Sequence, residues 1–221
     1  MNKGLVLLSA AVFACFLTAK SQINDAGLWL SGNFEKNLSQ SFGLSFTQEL
    51  RLMENMSVAD VVFSDLGTEY RFNKHFRFAL HYRWISNRRN DESYASLHRF
   101  YTDLSYRTKF SSVIISVRER IQSEFAPFNS GNTSNPELFS RTKATVKLDL
   151  DRRISPYFYT ELFNPLNGGY GRIITKGRYC LGFDYQLNSR HKLDISYMIQ
   201  HKWEDVPEND YIVGLGYTFS L

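Results

Sequence analysis

Cysteine, proline, one-signed charge and long apolar runs are all scarce in this chain, and each scarcity removes a class of protein. Of two cysteines, Cys15 falls in an N-terminal segment that reads as removable. Cys180 is then alone, so no intrachain disulfide can staple the remainder. Five prolines in 221 residues, with no composition shift along the chain, leave no linker and point to one domain. Past the N-terminus no stretch reaches the ~18 uninterrupted apolar residues of a membrane helix. A membrane location then requires a closed sheet, because in lipid only helices and barrels satisfy every backbone group. From Gln22 onward, 24 basic and 22 acidic side chains leave +2. That is too little, and too dispersed, for a nucleic-acid footprint. The five histidines are scattered, with no H-x-x-x-H or His/Cys cluster, so neither a metal centre nor a cofactor is expected. The acids Asp91, Glu92, Glu204, Asp205, Glu208 and Asp210 are taken as solvated loop charge.

The first residues carry Lys3, an apolar run from Leu5 to Ala19, and small residues at Ala19 and Ser21. This is the pattern of a secretory signal, with residues 1–21 as leader and 22–221 as one barrel domain. Cys15 follows Val12, Phe13 and Ala14, but Phe16 and Leu17 stay apolar where a lipoprotein turns polar.

What is abundant is aromatic residues, 18 Phe and 13 Tyr spread along the whole length, and they recur at every second position. Phe76, Phe78, Leu80, Tyr82 and Trp84 alternate with Arg77, Ala79, His81, Arg83 and Ile85. A helix would put Phe76 and Phe78 on opposite sides, so the period is that of a strand. Similar alternation runs over 66–72, 179–187, and around 42–50, 100–108, 113–121, 142–150, 193–203 and 211–221. Segments 26–36 and 156–162 fit less well, with Trp29, Tyr157 and Tyr159 on the nominally polar side. Tight turns at 37–40, 73–74, 110–111, 151–153 and 188–190 alternate with longer loops at 53–60, 87–93, 126–137, 165–172 and 204–209. Tyr70-x-Phe72-Asn73 and Tyr185-x-Leu187-Asn188, each continuing at constant spacing, read as one hairpin used twice.

These features describe an all-β fold, a single antiparallel up-and-down transmembrane β-barrel of about ten to twelve strands, a size whose lumen side chains can largely fill. The segments number eleven, whereas single-chain bacterial barrels nearly always have even numbers, so either a weak segment, 26–36 or 156–162 first, is not a strand or a further strand is hidden. Gly214, Tyr217 and Phe219 in the last strand resemble the terminal signal read by barrel-insertion machinery. That machinery and outer-membrane lipids are the expected partners of a monomer.

Alternation alone leaves open which face is inside. Aromatics near strand ends (Phe72, Phe76, Trp84, Trp203, Tyr211), with Leu187, resemble interfacial girdles, which puts lipid against the apolar face. A soluble exported ligand-binding barrel would reverse the faces. With lipid outside, the inward side carries Glu49, Arg51, Asp65, Glu69, Arg71, Arg77, His81, Arg83, Arg99, Asp103, Arg107, Arg118, Arg120, Glu124, Arg141, Lys143, Lys147, Asp149, Glu161, Arg178, Asp184, Lys192, Asp194 and Lys202. Opposite charges buried together must pair, and the simplest outcome is a salt-bridged plug, structural or envelope-associated. An arginine excess also permits minor passage of small anions. The alternative is an outer-membrane lipid-acting hydrolase or acyltransferase, for which His98 with Ser96 (or Ser93), oriented by Glu92 or Asp91, is the one local pairing available.

Asp25-Ala26-Gly27-Leu28-Trp29, Gln48-Glu49-Leu50-Arg51, Thr68-Glu69-Tyr70-Arg71-Phe72-Asn73, Glu161-Leu162-Phe163, and Arg178-Tyr179 with Gly182 and Tyr185 carry a further likeness. Through them the chain resembles a family of uncharacterised outer-membrane barrel proteins, a domain of unknown function common in Bacteroidota. The resemblance covers nearly all of the chain after the leader. It implies an outer-membrane barrel and brings no catalytic residue with it.

Overall fold

The computed structural model describes residues 23–89, 91–125, 136–150, 153–167, 174–203 and 207–221. The leader expected at 1–21 lies outside them. Every regular element among these residues is a strand: β1 Ile23–Asn37, β2 Phe42–Met53, β3 Val58–Arg71, β4 Phe76–Arg88, β5 Tyr94–Phe110, β6 Val113–Phe125, β7 Glu137–Leu148, β8 Ile154–Pro165, β9 Lys176–Gln186, β10 His191–Lys202 and β11 Glu208–Ser220. They close into one barrel in sequence order.

Both weakly patterned segments are strands, β1 and β8. The eleven segments counted in the sequence are thus eleven strands, within the expected ten to twelve, and the antiparallel sheet carries one parallel pair. An up-and-down chain with an odd number of strands leaves the first and last running the same way, so β1 and β11 pair in parallel, from Ile23↔Glu208 to Glu35↔Ser220. The other neighbours are antiparallel. Closure leaves no open edge.

The alternation puts charge inside and apolar side chains outside. Leu66 is 58 % exposed and Leu181 64 %, whereas Asp65 and Glu161 are 3 %. A soluble carrier needs the reverse; this arrangement is that of a transmembrane barrel. The outer wall is banded. Leu66, Leu80, Leu104, Ile121 and Leu181 are exposed at mid-height, Phe42, Phe72, Phe76, Tyr106 and Phe110 near the tight turns, and Tyr82, Trp84, Tyr94 and Phe100 towards the opposite end.

Trp29, Tyr157 and Tyr159 lie on the inward face, as their parity requires. They surround Cys180, Met198 and Ile212, which are 1–3 % exposed and form a small apolar core within the lumen. The tight turns follow their sequence. Asn73 Oδ1 accepts the amides of His75 (2.8 Å) and Phe76 (2.9 Å). Asn188 Oδ1 accepts those of Arg190 (2.9 Å) and His191 (3.1 Å), so the same hairpin occurs twice.

Candidate functional site

The lumenal charges assemble around three carboxylates. Asp65, on β3, accepts from His81 Nδ1 (2.8 Å), Arg83 Nε (2.7 Å) and Tyr101 Oη (2.6 Å). The His81 and Tyr101 rings stack at 4.5 Å. On the neighbouring pair β5–β6, Asp103 holds Arg120 through two bonds of 2.7 Å, a fork that fixes the guanidinium plane. Glu161 on β8 receives Arg118 (2.5 Å), Arg141 (2.8 Å) and Arg178 (3.5 Å) from three other strands. Arg178 also donates to Gln200 (2.8 Å), which donates to Asp210 (2.5 Å).

Further pairs line the wall: Arg51 with Glu49 (2.6 Å), Arg99 with Glu124, and Lys202 with Glu208 (2.7 Å). Towards the tight turns, Glu69 takes Arg71 (2.8 Å) and Arg77 (3.6 Å). Asp184 takes Lys147 and Lys192 there, and Asp194 accepts from Tyr157 Oη (2.6 Å). Of the charges assigned to the lumen, Arg107 is the outlier: it is exposed at the turn end of β5. The others named here are at the inward positions their parity gave.

The network does not fill the lumen. Above the Cys180–Met198–Ile212 core lies a cavity of about 1100 Å³, extending to Glu137, Thr175, Trp203 and Glu208 at the end away from the tight turns. Nine cationic and five acidic side chains line it. Two lining residues escape a reading by periodicity. Lys176 begins β9, two residues before the alternation becomes visible at Arg178. Trp203, expected in the outer girdle, instead lines the cavity, because β10 ends at Lys202 and releases it from the alternation.

The candidate enzyme pair sits elsewhere. His98 and Ser96 lie on the outward side of β5, and the hydroxyl of Tyr82 engages His98 Nδ1 at 2.7 Å. Asp91 accepts from the Ser93 hydroxyl (2.6 Å) and amide (3.1 Å), which hold its carboxyl below the usual value. The acid proposed to orient the histidine is thus engaged by Ser93.

One carboxylate breaks the alternation rule. Glu119 on β6 faces outward at mid-height, with the hydroxyls of Ser140 and Thr142 (the latter at 2.6 Å) donating to its two oxygens. Among the described residues no group of three or more His, Cys, Asp or Glu could hold a metal ion.

A closed wall with a banded apolar exterior and an ion-paired interior defines a membrane-spanning β-barrel of the outer-membrane type. The chain belongs to the family described as "Protein of unknown function (DUF2490)", whose model matches residues 26–211. No curated protein matches it. Among solved structures, the β domain of the Bordetella autotransporter BrkA is 11 % identical, with a TM-score of 0.50 over 84 % of this chain and 86 % of that one. The NanC porin is 12 % identical, with a TM-score of 0.48 over 87 % of this chain and 99 % of that one. The translocator domain of the autotransporter NalP from Neisseria meningitidis is 12 % identical, with a TM-score of 0.43 over 79 % and 73 %. At 11 % identity the likeness to the BrkA β domain is one of fold alone.

Proposed function

We propose that this protein resides in a bacterial outer membrane as a monomeric, envelope-associated barrel whose lumen is closed by its own side chains. The observation that carries this is the layer at mid-height, where Asp65, Arg120, Glu161, Cys180, Met198 and Ile212 are all under 9 % exposed. A wide aqueous bore would leave such residues wet. Lipids contact the banded wall, and the strand ending in Gly214, Tyr217 and Phe219 is the segment offered to the insertion machinery.

The reading is tested by fractionating a host that expresses the full chain, then recording heat-dependent gel migration and planar-bilayer conductance of the extracted protein. Recovery in the outer membrane, a heat-dependent shift and no steady porin-sized conductance are expected. A soluble periplasmic protein, or large stable conductance steps, overturns it.

A further inference from the structure

We propose that the vestibule above the lumenal plug is a binding site for a small organic oxyanion carrying at least two negative charges, held by Lys143 and Lys176 together with Arg118, Arg141 and Arg178. The inference goes beyond the plug, because binding in the vestibule requires no path through it.

The case begins with a charge imbalance. Among the described residues Glu161 is the one carboxylate within ion-pair distance of Arg141 and Arg178, and it also takes Arg118. The nearby Asp103 is occupied by Nε and Nη2 of Arg120 and reaches Arg118 only at 3.9 Å. Lys143 and Lys176 have no carboxylate within ion-pair distance among the described residues. Each instead faces an aromatic ring, Lys143 at 3.5 Å from Tyr159 and Lys176 at 5.3 Å from Phe163. Ring faces attract cations but do not neutralise them. The other described acids that line the cavity offer no relief, since Glu49, Glu124 and Glu208 have cationic partners in Arg51, Arg99 and Lys202, and Glu137 is exposed at the rim.

A second observation points the same way. The Nε atoms of Arg118 and Arg141 are buried with no partner among the described residues, and the whole Arg141 residue is only 7 % exposed. Buried donors of this kind are normally satisfied. Uncompensated cations in a low-dielectric enclosure repel one another and stabilise any anion that enters. Guanidinium forks match the oxygens of carboxylate and phosphate alike. A cavity of about 1100 Å³ exceeds the needs of a bare inorganic ion. The Trp203 ring on the wall offers an apolar face for a carbon skeleton. A phosphate ester and a polycarboxylate share this chemistry.

Equilibrium dialysis of the full barrel in non-ionic detergent at low salt, with labelled citrate and labelled inorganic phosphate as separate probes, tests the site. Saturable binding at one site per barrel is expected, weakening as sodium chloride is added. Citrate alone identifies a carboxylate site, phosphate alone a phosphoryl site, and both a general oxyanion site. A Lys143→Gln/Lys176→Gln variant breaks no ion pair and should keep the heat-dependent migration of a folded barrel. It should bind at least tenfold more weakly, while Lys74→Gln, at a tight turn, binds as the parent does. Absence of saturable binding of both probes, or unchanged affinity in the folded double variant, overturns the proposal. Were the double variant not to fold, the parent's own titration still decides: no saturable, salt-sensitive uptake means no site. Conductance separates this from the plug, since a barrel that conducts and binds refutes the plug alone.

Discussion

The inner and outer walls pose opposite problems for a carboxylate. Glu161 shows the inner one, because three guanidinium groups share it and its neutralisation would strand them together. Removing one member of a buried ionic cluster costs about 3–5 kcal/mol. Glu161→Gln is therefore expected to lower markedly the temperature at which the barrel loses its folded gel mobility. An unchanged transition would mean that water compensates these charges. Glu119 shows the outer one, since a carboxylate facing lipid is tolerable only while hydrogen-bonded. Thr142→Val deletes one of its two hydroxyl donors, and the buried acceptor left behind costs about 1–3 kcal/mol. In a Glu119→Leu background the same Thr142→Val change should cost almost nothing, which thermal unfolding of the four proteins would reveal. Parity alone located Glu161 and its arginines, because a period of two assigns each strand residue to a face. It could not locate Lys176, whose strand starts before the alternation is legible, and it gave no reason for Glu119, whose partners lie on the next strand. The pairing of Asp65 with His81, Arg83 and Tyr101 was equally hidden, since register between strands is not written in either strand alone.

Local turn chemistry decides how much of each element can be read in advance. The hairpins at Asn73 and Asn188 were legible because an asparagine side chain that caps two following amides acts within the turn itself. The connection between β2 and β3 was not. Residues 53–60 read as a long loop, yet the strands run to Met53 and resume at Val58. The tight reversal is made by Glu54, Asn55 and Met56, with φ of 53°, 57° and 65°. The left-handed region is unfavourable by about 1–2 kcal/mol for residues such as Glu54 and Met56 and less so for Asn55, so something must hold them. Asp25 does so from β1, its carboxylate accepting the amides of Glu54 and Asn55 at 2.9 Å each. Asp25→Ala should loosen this turn and speed proteolytic nicking between Glu54 and Ser57, whereas Met56→Gly should slow it by relieving strain of about 1 kcal/mol. Equal nicking rates in all three proteins would show that the clamp contributes nothing.

At the scale of the whole barrel, the odd strand count decides how the wall closes. Eleven alternating segments were visible in the sequence, but the precedent of even-numbered bacterial barrels argued for discarding one or finding a twelfth. Trp29, Tyr157 and Tyr159 made β1 and β8 the natural candidates, since large rings on a polar face look like broken alternation. They fit because the lumen is not uniformly polar: the rings pack on Cys180, Met198 and Ile212. With every segment kept, closure must be parallel, and the register places Ser31 opposite Gly216 with both on the inward side. A Cβ built on Gly216 would lie 3.0 Å from Ser31 Oγ, so cysteines at both positions fall within the Cβ separation of about 3.5–4.5 Å that a disulfide requires. The Ser31→Cys/Gly216→Cys protein should therefore cross-link within one chain on mild oxidation. Its heat-denatured form should migrate differently with and without reductant, because the bond ties residue 31 to residue 216 in the unfolded chain. Each single variant should show no such difference, and buried Cys180 should not react. If the double variant stays reduced while folded, β1 and β11 do not meet in this register.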